Sequence, residues 1–195
     1  MISHDILILF ALESETAGLF QEKNVIYSGV GKVNAAYGLT KTLAQRRQLH
    51  GNSPKLILNL GSAGSTQFKT GSLVNCTSFV QRDFDVSALG HEMYVTPYES
   101  IPAVLDGGLR YTDYVEGICG TGDSFVSDGK KTLWNVVDME AYAFAKVCRN
   151  EQIPFGCIKY VTDGADSDAA SSWESRLAEA AKALRLVADA INVTA

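Results

Sequence analysis

Five carboxylates carry the first chemical signal in this sequence. Glu13 and Glu15 follow the apolar run Ile6 to Leu12, Asp138 and Glu140 flank Met139, and Asp163 follows the apolar run that ends at Val161. Carboxylates carry protons and can face a developing positive charge. In open α/β sheets the carboxyl ends of strands gather the ligand. Any one of these acids also suits a helix cap or a surface charge. Three strand-end sites on one face point instead to a shared cleft.

Other chemistries fit less well. Gly29-Val30-Gly31 resembles the opening of a dinucleotide fingerprint, but its third glycine should fall at position 34, which is Asn34. The glycines read better as a tight turn with positive φ. Gly61-Ser62-Ala63-Gly64 has the second glycine of a nucleophile elbow, with Leu60 in place of the first. His4, His50 and His91 do not follow a late strand, which argues against a Ser-His-Asp triad. There is no phosphate-binding GxxxxGK followed by Ser or Thr. The run Asp163 to Asp168 lacks the downstream glutamate of a calcium loop. Cys76, Cys119, Cys148 and Cys157 have no zinc spacing and read as reduced core thiols. Neither a cofactor nor a metal is expected.

The elements that must position the acids alternate between strand and helix. Strands are expected at 6–12, 25–28, 56–60 and 155–161, with further strands at 73–81, 93–97 and 115–119. A short helix is expected at 14–21. A longer helix spans about 32–49, with Val33, Ala36, Tyr37, Thr40, Leu43 and Ala44 on one face. Another runs from Asp138 to Asn150. Ser171 and Ser172 can cap a final helix whose stripe is Leu177, Ala181, Leu184, Ala188 and Ile191. The continuous apolar strands belong in a sheet covered on both faces. The fold class is α/β, a single domain over 1–195 with a central mixed, twisted sheet flanked by helices.

The 195 residues are 46% hydrophobic and carry a net charge of −5, which suits a globular chain and disfavours nucleic acid as a partner. The apolar start is far short of the roughly 20 residues that span a bilayer, and no N-terminal stretch has the basic start, long apolar run and small-residue exit of a signal peptide. No membrane association is expected, and the cysteine usage suggests the cytoplasm.

Five motifs then occur together: Gly29-Val30-Gly31-Lys32-Val33-Asn34-Ala35-Ala36, Asn59-Leu60-Gly61-Ser62-Ala63-Gly64, Gly122-Asp123-Ser124-Phe125-Val126, Val137-Asp138-Met139-Glu140-Ala141 and Thr162-Asp163-Gly164-Ala165-Asp166. In this order the set resembles the nucleoside phosphorylase and nucleosidase superfamily. It is most similar to the 5′-methylthioadenosine/S-adenosylhomocysteine nucleosidases. The resemblance implies cleavage of an N-glycosidic bond through a ribosyl cation. By it, Asp163 protonates the departing purine, which calls for a raised pKa. Glu15 activates water beside Ser62, and Glu140 holds the ribose hydroxyls. Phe125 stacks on the base, the Val126 backbone reads its edge, and Met139 lies under the sugar. Ala63, Gly64 and Thr162 complete the positions matched to substrate binding.

The same resemblance favours water over phosphate. An arginine precedes the Gly-Ser motif in bacterial purine phosphorylases, where this chain has Asn59. Asp138 and Lys159 stand where the family has a longer glutamate and an arginine. The region between Phe20 and Asn24 and that between Pro97 and Val115 are shortened. A homodimer is implied, with Val86 and Leu89 in the segment that lines a partner's pocket.

Overall fold

The computed structural model describes residues 5–127, 132–166 and 169–194. His4, Ser167 and Asp168 lie outside the described residues, as does the side chain of Ser171. Among the described residues, eight strands form one mixed sheet: β1 (Ile6–Phe10), β2 (Val25–Tyr27), β3 (Leu56–Gly64), β4 (Leu73–Gln81), β5 (Leu105–Asp106), β6 (Val115–Thr121), β7 (Val136–Asp138) and β8 (Phe155–Asp163). The helices are α1 (Lys32–His50), α2 (Ala141–Glu151) and α3 (Ala169–Thr194).

The strand pairing closes on itself. β3 pairs with β8, β8 with β4, β4 with β6, β6 with β7, and β7 returns to β3 through Gly64 and Val137. β1 and β2 extend the sheet from β3, and β5 hangs on β4. β1, β3 and β8 are buried along nearly their whole length because both of their faces are covered. Along β1 and β3, Leu7, Leu9, Ile57 and Ala63 face one core with Ala35, Leu39 and Leu43 of α1 and Phe144 of α2. Ile6, Ile8, Phe10, Leu58 and Leu60 face the other, under Leu184, Val187 and Ile191 of α3. Each large side chain so buried contributes about 1.5–3 kcal/mol.

Several expected elements shift. Residues 93–97 form turns, since Tyr94 has φ 68°, which a strand cannot contain. Asp138 closes β7 and α2 starts at Ala141, whose N–H donates to the Asp138 carboxylate at 2.9 Å. The segment after β1 makes a single 3₁₀ turn at Glu13–Thr16 in place of a helix over 14–21. Ser171 and Ser172 fall inside α3, which begins at Ala169, so they do not cap it. The buried face of α1 is Ala35, Leu39 and Leu43, four residues apart; Val33 and Tyr37 are 78% and 66% exposed.

Candidate active site

A cleft of about 240 Å³ opens where β1, β3, β7 and β8 end, and Glu15, Glu140 and Asp163 all line it. Ser62, Ala63, Gly64, Phe125, Val126 and Met139 share its walls. Thr162 is the exception among the expected site residues. It is fully buried behind the wall, where its hydroxyl donates to Asp163 Oδ2 at 2.8 Å. Glu13 is exposed and, like His50 and His91, does not line the cleft.

Glu15 is fixed at both oxygens. The N–H groups of Ala11 and Leu12 donate to Oε2, each at 3.1 Å. The Ser62 N–H and hydroxyl donate to Oε1 at 2.9 and 2.7 Å. The turn after β1 makes this possible, because it folds the carboxylate back over the strand end it has just left.

Asp163 is aimed by an irregularity in pairing. The β3–β8 register shifts between Ala63 and Gly64, so that Gly64 faces Asp163 and Thr162 is passed over. Oδ1 accepts the Ala165 N–H at 2.9 Å. Gly64 must be small here, because a Cβ would fall 2.6 Å from Asp163 Oδ1 and 3.1 Å from a Val137 methyl. Gly64→Ala should therefore cost about 1–3 kcal/mol in urea unfolding and should displace the Asp163 carboxylate from the cleft wall. Unchanged stability would show that the seam has more room than the geometry allows.

Glu140 accepts the Gly31 N–H at 2.9 Å. Gly29 and Gly31 have φ of 81° and 92°, so the turn uses the freedom of glycine to point this amide into the site. Burial, with the Asp138 charge beside it, pushes the Glu140 carboxyl up to about 7, against the pull of the Lys159 ammonium. Asp138 and Lys159 form an ion pair at 2.8 Å under the cleft, their side chains 2% and 3% exposed. Burial would raise the Asp138 carboxyl, but Lys159, the Thr121 hydroxyl and the Ala141 amide hold it below the usual carboxylate range. Burial would likewise lower the Lys159 ammonium, and Asp138 holds it well above its usual value.

At the mouth, Phe125 is 54% exposed. Its loop is tied down by Arg82, whose guanidinium donates to Gly122 O at 3.2 Å, to Ser124 Oγ at 3.1 Å and to Ser124 O. Among the described residues, no group of three or more His, Cys, Asp or Glu side chains is placed to hold a metal. The four cysteines are free and buried.

Residues 16–192 match the phosphorylase superfamily. A 5′-methylthioadenosine/S-adenosylhomocysteine nucleosidase of Geobacillus kaustophilus is 33% identical, the match covering 83% of this chain and 75% of the relative. The chain belongs to the phosphorylase superfamily, in the family of these nucleosidases. Two solved structures share the fold of this superfamily member. A futalosine hydrolase mutant of Helicobacter pylori aligns with TM-score 0.81 and 21% identity, over 97% of this chain and 99% of that one. The H. pylori 5′-methylthioadenosine/S-adenosylhomocysteine nucleosidase with butyl-thio-DADMe-Immucillin-A gives 0.81 and 22%, over 97% and 98%.

The superfamily motifs leave some lining residues unannounced. Trp173 of α3 reaches the cleft, and its indole N–H donates to Ser62 Oγ at 2.8 Å. It extends the apolar stripe of α3 one turn ahead of Leu177, which is the signal that could have found it. Arg82 also lines the cleft. It reaches Gly122 and Ser124 from some forty positions away in sequence, which no local pattern announces.

Proposed function

We propose that this chain is an adenine nucleosidase. It hydrolyses the N-glycosidic bond of 5′-methylthioadenosine and S-adenosylhomocysteine, giving adenine and the 5-thioribose. The observation that carries this reading is the meeting of Glu15, Glu140 and Asp163 in one cleft. Asp163 gives its proton to a ring nitrogen of the purine. The bond between the sugar's anomeric carbon and the base nitrogen then breaks, and its electron pair leaves with the neutral base. A ribosyl cation remains. Glu15 takes a proton from water, whose oxygen bonds to the anomeric carbon. Glu140 accepts hydrogen bonds from the ribose hydroxyls and faces the cation with its charge. Phe125 stacks on the base, the Val126 backbone meets its edge, and Met139 packs under the sugar.

Water is favoured over phosphate by what occupies the nucleophile's side. The donors there, the N–H groups of Ala11, Leu12 and Ser62, are turned onto Glu15. A second anion beside that carboxylate would be repelled. The test is release of adenine from 5′-methylthioadenosine in phosphate-free buffer. Ribose 1-phosphate formed only with added phosphate would select a phosphorylase. Tight nucleoside binding without turnover would leave a binding module. No base released from any purine nucleoside at micromolar protein would overturn the reading.

The Glu140 carboxyl gives a pH dependence. The ionised form is the one that grips the hydroxyls. With the Glu140 carboxyl pushed up to about 7, that form is lost as pH falls below this value. The kcat/KM value, which reports free-enzyme groups, should therefore show an acid limb from Glu140 below about 7. Glu140→Gln should lose that limb along with most of the activity. A flat profile from pH 5 to 8 in the unaltered enzyme would contradict the assignment. Stability should run the other way. The unfolded chain releases this proton near 4.5 and the folded one near 7, so stability falls as pH rises between them.

Val33, Tyr37, Leu89 and Tyr98 are large, apolar and exposed, which supports a homodimer that covers them; sedimentation of the unaltered protein tests it. The buried free thiols support a reducing, cytoplasmic setting.

A further inference from the structure

Trp173 sits in the second turn of α3 with its indole against the cleft. Its Nε1–H donates to Ser62 Oγ at 2.8 Å, and Ser62 Oγ lies 2.7 Å from Glu15 Oε1. A hydroxyl has one proton and two lone pairs, and an indole N–H can only donate. The indole therefore takes one lone pair of Ser62, and the serine proton is left to point at Glu15. A serine rotor with no such neighbour would turn among several partners. Here a donor on one side and a carboxylate on the other leave it one setting.

We infer that Trp173 is a positioning residue, which locks the Ser62 hydroxyl onto Glu15 and so fixes the carboxylate that aims the water. The inference rests on reading Glu15 as the base for water. Trp173 acts on that step through Ser62 and adds a requirement that the five motifs do not contain: α3 must dock with its indole edge toward β3. The indole face also forms cleft wall, so a wall role and a positioning role have to be separated by experiment.

The chain has two tryptophans, Trp134 and Trp173, so a ¹⁵N-labelled sample shows two indole N–H signals, and Trp173→Phe identifies its own by loss. On Ser62→Ala the Trp173 signal should move upfield while that of Trp134 stays. Trp173→Phe keeps an aromatic wall and removes the donor. It should lower kcat about five- to tenfold, the worth of one hydrogen bond, with KM within about twofold. The double variant Ser62→Ala/Trp173→Phe should be no slower than Ser62→Ala alone, because both changes break one relay. An unmoved indole signal, multiplicative losses in the double variant, or a rise in KM with kcat intact would each overturn the role. Wild-type protein that releases no base would sink the nucleosidase reading and this role together. An active wild type with an unmoved indole would sink the role alone.

Discussion

Asp163→Asn protein is expected to fold, to bind its nucleoside nearly as tightly as the wild type, and to release adenine about 10²–10⁴-fold more slowly. The substitution preserves shape. Asparagine can keep an oxygen toward the Ala165 N–H, now at 2.9 Å from Oδ1, and turn its amide toward the Thr162 hydroxyl, which can accept as well as donate. It has no proton to give to the purine. The loss should be largest for adenine leaving groups and small for a ribosyl substrate whose leaving group departs well as an anion. Single-turnover adenine release at saturating nucleoside, with binding measured separately, is the measurement. A near-wild-type rate on 5′-methylthioadenosine would remove Asp163 from the acid role.

Lys159→Met should be among the most destabilising single substitutions in the chain, at about 3–5 kcal/mol. It leaves the Asp138 carboxylate buried with the Thr121 hydroxyl and Ala141 N–H but without its counter-charge. Adding Asp138→Asn should recover most of the loss, since removing both charges avoids the uncompensated one. Urea midpoints of the two single variants and the double decide it. A double variant no better than Lys159→Met would mean that the pair is not the source of the cost. Any folded Lys159→Met should also show the acid limb of kcat/KM at higher pH, because the Lys159 ammonium, together with the Gly31 N–H, pulls the Glu140 carboxyl down.

What the sequence made legible followed from how local each signal was. Continuous apolar runs announced β1, β3 and β8, because strands covered on both faces need no alternation. β7 has three residues and β5 two, too few to show a period, so the sequence pattern does not separate β7 from α2, which starts three residues after Asp138. In α1 apolar side chains occur on more than one face, and pattern alone favoured Val33 and Tyr37 over Ala35 and Leu39. The cleft walls were largely within reach of the motifs, because acids and glycines at strand ends have few other reasons to cluster. Thr162 went astray for a physical reason: the register shift opposite Gly64 turns it away from the cleft, and no sequence signal marks that shift. Trp173 and Arg82 reach the site only through tertiary packing.

The closed circuit of β3, β8, β4, β6 and β7 bears on how this protein can move. A sheet with free margins can open like a hinge, but a hoop cannot widen at one point without strain all the way round. Gly64 is the stave where the hoop is joined, bonded toward Val137 on one side and Asp163 on the other. The spacing between the Asp163 and Glu140 ends is thus set by the whole circumference. The Phe125 loop and the leading turns of α3 lie outside the hoop and are held to it by side chains, Arg82 on Ser124 and Trp173 on Ser62.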